Sequence, residues 1–226
     1  MTQSVIPLES NPEIFTEFAH SLGLVPLLSF HDVYSVTDIE VLEFLPQPIY
    51  AFVLLFPITD SFEQFRQQEA ASTPESDGGV VWLKQSVKNA CGLYALLHVL
   101  LNVPKSLVVK DSKADNFRRK IQNNLKQADL DELVEDCCSI HESYATQGST
   151  EAPDAEDDVN LHFVTFVAKN GRVYELDGRR TKPVDVGSFD SNDKFGKEKV
   201  IFERVQYYME LTQDPNFALI ALASTG

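Results

Sequence analysis

Across 226 residues, Asp and Glu total 34 against 19 Lys and Arg, a formal net charge of -15. Nucleic-acid binders carry a basic electrostatic footprint, so this balance argues against that class and leaves room for a basic protein or peptide partner. With 43% apolar residues the chain buries a sizeable core as one domain, and its three cysteines, at 91, 137 and 138, suit neither a disulfide framework nor paired zinc spacing.

A reducing compartment follows, with no metal or cofactor expected. The first residues lack a basic segment followed by an apolar run, so no signal peptide is expected. The longest apolar run, residues 50–58, is too short to span a bilayer. The expectation is a cytoplasmic monomer that binds neither membrane nor nucleic acid.

Near the start, Ser10 or Asn11 caps a helix with Pro12 in its first turn. Ile14, Phe15, Phe18 and Leu22 form its apolar face, and Gly23 ends it. Residues 31–36 (HDVYSV) suggest a short strand, and Thr37 the cap of a small helix through Leu45. The run YAFVLLFPI, residues 50–58, has the continuous apolar character of a central strand buried on both faces. A short helix is expected over 61–69, a loop over 71–79, and a strand over 80–85 (VVWLKQ).

Next comes QSVKNACGLYALLHVLLN, residues 85–102. Leu93, Leu96, Leu97 and Leu100 recur at helical spacing, so this helix is largely buried. Asn89 is the expected N-cap. Cys91 then lies where free amides and the helix dipole favour negative charge, which raises the thiolate fraction. Gly92 permits another backbone to approach. Against this stands the default for free cysteine, an inert buried side chain.

Helices are expected over 117–126 and 130–138, the second capped by Asp129. Cys137 and Cys138 fall on an acidic helix, where the neighbouring charge raises a thiol pKa and makes them poor nucleophiles. Residues 142–160 form a long polar loop without periodicity, a pattern typical of lids and binding loops. LHFVTFVA, 161–168, and VYELDGR, 173–179, flank Asn170-Gly171 as a hairpin. The segment after Thr181 reads as irregular, with turns at Gly187 and Gly196. A helix over 198–211 and a strand over 216–224 close the chain.

The hairpin has consequences for chemistry. If Asn170 and Gly171 form the turn, Val164 faces Asp177, and His162 and Asp177 are diagonal neighbours on one face. Their β-carbons then lie within roughly 7–8 Å, close enough for a carboxylate to hold an imidazole. A helix-start cysteine plus a His–Asp pair are the components of a nucleophile, base and orienter. Taken singly, His162 reads as structural and Asp177 as a turn residue. His98 lies two turns beyond Cys91, about 10.5 Å along the axis, and reads as core. His20, His31 and His141 have no carboxylate partner legible in the sequence.

The order Gln-x5-Cys-Gly, a polar loop, L-H-F and Y-E-L-D-G-R resembles the ubiquitin C-terminal hydrolases. The likeness runs nearly full length, through PLESNPE, VLLFPIT, QGSTEAP and FALIAL, and is strongest to short, single-domain fungal members. KNACGLYAL and RTKPVDVG depart from the commoner family wording but keep every catalytic position.

The resemblance implies an α+β, papain-like fold: a central, mostly antiparallel sheet flanked by helices, with residues 1–226 as one catalytic domain. It implies Cys91 as nucleophile toward the terminal glycine of ubiquitin, His162 as proton carrier, Asp177 as its orienter, and Gln85 as oxyanion donor. It makes residues 142–160 a crossover loop over the site, which restricts substrates to small adducts and short peptide extensions. It assigns ubiquitin contacts to Pro7, Leu8, Glu9, Ser10, Asn11 and Pro12 near the start. Near the end it assigns them to Asp214, Pro215, Asn216, Phe217, Ala218 and Leu219. The acidic surface suits ubiquitin's basic tail. Two alternatives stay open: a hydrolase for another ubiquitin-like modifier, and a ubiquitin-binding module without catalysis. All four catalytic positions being filled favours the enzyme.

Overall fold

The computed structural model describes residues 4–72, 78–122, 127–148, 153–157, 159–189 and 199–226. Its frame is a sheet of six strands, β1 (Leu28–Asp32), β2 (Ile49–Pro57), β3 (Leu161–Lys169), β4 (Arg172–Leu176), β5 (Val184–Ser188) and β6 (Ala218–Ser224). Their order is β1-β6-β2-β3-β4-β5, and every pairing is antiparallel. The architecture is α+β, as expected.

Strand alternation sorts the core into two layers. Val53, Phe163, Val167, Ile220 and Leu222 point to one face. There they meet α1 (Pro12–Leu22), α4 (Cys91–Asn102), α5 (Lys113–Gln122) and α6 (Gln127–Ala145). Phe52, Leu54, Phe56, Val164, Phe166 and Ala221 point to the other. There they meet α2 (Ile39–Leu42), α3 (Asp60–Ser72) and α7 (Lys199–Thr212). A period of two places successive side chains on opposite faces, so β2 and β3 read as unbroken apolar runs. Each fully buried Phe or Leu in these layers contributes about 1.5–3 kcal/mol.

α4 is buried from Gly92 through Leu101. An apolar helix with no polar stripe belongs inside the protein. It lies against β3, where Thr165 Oγ1 donates to the Ala95 carbonyl at 2.9 Å. α1 is capped by Asn11, whose side chain accepts from the Glu13 and Ile14 amides, and it ends at Gly23 with φ +121°.

Several boundaries differ from the sequence expectation. Residues 80–85 are not a strand. Their backbone is bonded to α4 side chains instead. Asn102 accepts from Val81 N and donates to Val81 O, and His98 Nε2 accepts from Leu83 N. β5 was expected to be irregular. It is an edge strand broken by a bulge and by Gly187, which blurs the alternation.

α6 starts ahead of its expected cap Asp129 and runs on to Ala145, into the expected 142–160 loop. Tyr144, stacked on Phe18 at 5.0 Å, and the buried Ala145 hold that last turn. Asp38, not Thr37, caps α2. β1 begins at Leu28 and ends at Asp32, where its pairing with β6 stops. The turn expected at Gly196, residues 73–77 of one loop and residues 149–152 and 158 of the other lie outside the described residues.

Candidate active site

The β3–β4 hairpin has the expected register, with Lys169 opposite Arg172 and Thr165 opposite Leu176. Asn170 and Gly171 both have positive φ, 52° and 74°, the geometry of a two-residue hairpin turn. β4 ends one residue before Asp177. His162 Nε2 then lies 2.7 Å from Asp177 Oδ1, with the two side chains 3% and 1% exposed. The same oxygen accepts from the Arg179 amide at 2.8 Å. The Asp177 carbonyl is held by Trp82 Nε1 at 2.9 Å.

With Nε2 committed to Asp177, the other ring nitrogen is left for the sulfur, and His162 and Cys91 line the same cavity. Burial pushes the Cys91 thiol up. His162, with amides of Phe163 and Gly92, pulls it lower still, and the net is a depressed pKa. Burial disfavours the His162 imidazolium, but Asp177, by charge and hydrogen bond, and Cys91 raise it to about 9. Asp177 is pushed up by burial and pulled down to about 2 by His162, the Arg179 amide and Arg180. All three directions favour a thiolate–imidazolium pair beside a carboxylate.

Cys91 opens α4, but Asn89 does not cap it. The N-cap is Ala90, without a side-chain hydrogen bond. Uncapped first-turn amides remain available to a negative charge. Asn89 has φ +60°, and its side chain turns outward, donating to the carbonyls of Ala155 at 2.9 Å and Asp157 at 3.0 Å. Lys88 Nζ donates to the Glu156 carbonyl at 2.7 Å, and Ser4 bonds the Glu156 carboxylate. Three consecutive carbonyls of the crossing segment are thus held by the two residues ahead of Ala90 and Cys91. Gly92 admits side chains rather than backbone: a β-carbon there would lie 2.9 Å from Leu8 Cβ and 3.5 Å from Phe163.

Gln85 sits on the extended segment over α4. Its amide N donates to the Gly178 carbonyl at 2.8 Å, and its side-chain Nε2 to the Val87 carbonyl at 2.9 Å. That segment is anchored by His98, a core residue as expected. Burial pushes His98 down to about 4, so it is neutral and accepts from Leu83 N.

Two cavities meet at Cys91. A polar one of about 530 Å³ is lined by Gln85, Lys88, Asn89, Asn160, His162 and Arg179, among others. An apolar one of about 200 Å³ is lined by Pro7, Leu8, Glu9, Ser10, Leu55, Pro153 and Phe163, among others. Asn11 and Pro12 lie instead in a groove of about 770 Å³ with His31, Tyr34 and Phe44. Phe217, Ala218 and Leu219 line a groove of about 450 Å³ that shares Val33 and Tyr34 with the first. Asp214 accepts from Asn216, and Pro215 from the Phe217 amide, in a local turn.

Tyr34 and Phe44 are more than 80% exposed and were not singled out from the sequence. No periodicity marks them, since neither packs on the core. Trp82 and Asn89 were likewise missed as supports, because their partners are backbone atoms far along the chain. Cys137 and Cys138 are buried, which first of all raises both thiols to about 11; like charges add to this. The acidic surroundings noted in the sequence are the smaller cause. Among the described residues, no group of three His, Cys, Asp or Glu side chains is placed to hold a metal, and no helix is long and apolar enough to cross a membrane.

Comparison with known proteins bears on the family of this chain. The sequence model described as "Ubiquitin carboxyl-terminal hydrolase, family 1" matches residues 5–210. The Saccharomyces cerevisiae ubiquitin carboxyl-terminal hydrolase YUH1 is 39% identical, over 97% of this chain and 96% of its own. A Drosophila melanogaster ubiquitin carboxyl-terminal hydrolase is 33% identical, over 96% of each chain. The Trichinella spiralis UCH37 catalytic domain, solved bound to ubiquitin vinyl methyl ester, superposes with a TM-score of 0.75 at 27% identity, over 98% of this chain and 96% of that one. With its α+β papain-like fold, the chain belongs to the ubiquitin carboxyl-terminal hydrolase family, as a cysteine-type peptidase.

Proposed function

We propose that this chain releases small adducts and short peptide extensions from the carboxyl terminus of ubiquitin, with Cys91 as nucleophile. The Cys91 thiolate attacks the carbonyl of ubiquitin's last glycine. The tetrahedral oxyanion meets the Cys91 backbone amide and the side-chain amide of Gln85. The C–N bond breaks as the His162 imidazolium gives its proton to the leaving amine. Water, deprotonated by His162, then hydrolyses the thioester and restores the thiol. Asp177 keeps the imidazole ring oriented and its charged form favoured.

The observation that carries this reading is the 2.7 Å His162–Asp177 bond beside the helix-start thiol of Cys91, with His162 and Cys91 lining one cavity. His162 lines the polar cavity and not the apolar one, so the leaving group occupies the polar side, where the proton is delivered. The ubiquitin tail then lies on the apolar side, past Leu8 and Phe163. The grooves beside Tyr34 take the body of ubiquitin, using Asn11, Pro12 and residues 217–219. The segment held by Lys88 and Asn89 acts as a strap that limits the leaving group. Residues 1–226 act as one catalytic unit in the cytoplasm, in keeping with three free cysteines.

The test is turnover of a fluorogenic ubiquitin C-terminal amide by the wild type and Cys91→Ala. Turnover confined to the wild type supports the assignment; turnover retained by Cys91→Ala removes the nucleophile.

A further inference from the structure

Behind Asp177 lies a buried set of charges that the proposed chemistry does not use. Glu175 of β4 has no exposed surface and accepts from Arg204 Nε and Tyr208 Oη of α7, each at 2.8 Å. Arg204 grips both oxygens of Glu69 on α3 at 2.7 Å. Arg180, 4% exposed, enters the same set: Nη2 lies 2.8 Å from Glu69 and Nε 3.2 Å from Glu175.

Arg180 also faces the triad. Its Nε is 3.7 Å from Asp177 Oδ2, beyond hydrogen-bond range but close for two buried charges. That oxygen has no hydrogen-bond partner among the described residues, while Oδ1 is taken by His162 and the Arg179 amide. The Arg180 amide in turn donates to the Asp177 carbonyl at 3.1 Å. One residue therefore touches Asp177 at its main chain and places a guanidinium 3.7 Å from its open oxygen. Such a cluster stabilises little by itself, because ion desolvation offsets the attraction. Its geometry, however, fixes the third member of the triad to two helices.

We propose that Arg180 is a positioning residue that ties the Asp177 carboxylate to the Glu69–Glu175–Arg204 cluster, so that α3 and α7 set the orientation and electrostatic field of the triad. This rests on the assignment of Cys91, His162 and Asp177 above. The remaining charged or titratable groups facing the site are Lys88 and Glu9 on the walls of its two cavities, with His98, Arg179, Arg66 and Glu63 around them. His98 of α4 is neutral. Arg179 is paired to Glu63 of α3 at 2.9 Å, and Arg66 to the same carboxylate at 2.7 Å. Arg179 and Arg180 look alike in the sequence; the turn at Gly178 sends one to the cavity and the other inward.

The test compares Arg180→Met, Arg180→Lys and Glu175→Gln. It reads the rate of Cys91 alkylation by iodoacetamide against pH, and kcat/KM against pH on the fluorogenic ubiquitin amide. Removing the cation makes the site more negative. The thiol titration and both limbs of the kcat/KM profile then move up by about half a unit to one unit in Arg180→Met. Arg180→Lys keeps the charge and stays near the wild-type limbs. Glu175→Gln shifts them the opposite way. A role in folding alone lowers the plateau and leaves the limbs in place, and that result overturns the proposal. If Arg180→Met does not fold, unmoved limbs in Glu175→Gln overturn it equally. Alkylation needs no ubiquitin, so it judges Arg180 even if the wild type shows no turnover, the outcome that refutes the functional reading instead.

Discussion

A β-carbon added to Gly178 would lie 2.9 Å from the β-carbon of Gln85 and 3.3 Å from its backbone nitrogen. The oxyanion donor and the turn after the triad carboxylate are thus packed to the limit of contact, and joined by the Gln85 N to Gly178 O bond. Gly178→Ala pushes these segments apart by a few tenths of an ångström. Since misplacement of catalytic groups costs rate steeply, kcat on the fluorogenic amide is expected to fall about 10–100-fold. Gln85→Ala, which removes the donor outright, is expected to cost about 10²–10³. Equal rates in Gly178→Ala and wild type would mean the contact sets nothing.

Asp177 is the group that keeps the imidazolium charged. Asp177→Asn retains the shape and loses the anion. His162 then drops from about 9 toward its ordinary range, so the alkaline limb of activity moves to lower pH. The rate falls by up to about 10⁴. For stability the sign follows from the depressed Asp177 pKa. Its contribution is present above the unfolded value of 3.8 and is lost as pH falls through about 2. Urea denaturation of wild type and variant should therefore differ most above pH 4 and converge in acid.

Much of this site was legible because its parts are local. Asn170-Gly171 fixes the register of β3 and β4, and the register brings His162 to Asp177. Cys91 is marked by the apolar helix it opens. What stayed hidden depends on tertiary partners. Asn89 carries an ordinary capping side chain, yet its positive φ turns that side chain toward the strap. Residues 80–85 have strand composition, but Asn102 and His98 take their backbone bonds. α6 outlasts its apolar pattern because Tyr144 finds Phe18 across from α1. Arg180 is one of two adjacent arginines, and nothing local separates the buried one from the other.

The strap should respond to Asn89. Asn89→Gly removes the bonds to Ala155 and Asp157 without straining the positive φ. At about 1 kcal/mol for each of the two bonds, the pinned crossing becomes about 30-fold more open. Cleavage of a bulky ubiquitin adduct is expected to rise relative to a small one, read as the ratio of their kcat/KM values. A ratio unchanged from wild type would show that the strap's grip does not set leaving-group size.

His98 offers a stability test apart from the chemistry. It is 1% exposed and accepts from the Leu83 amide, which holds the segment leading to Gln85. His98→Ala leaves that amide unpaired and opens a cavity, for an expected loss of about 3–5 kcal/mol. Burial keeps the folded-state pKa near 4, below the ordinary 6.5. Unfolded chains therefore bind a proton first as pH falls. The stabilisation is whole above 6.5 and declines toward pH 4, by about 3 kcal/mol at most. His98→Leu, which cannot be protonated, should show a shallower loss of stability over that window in urea titrations at fixed ionic strength. Parallel curves for the two proteins would mean that His98 is already charged in the folded state.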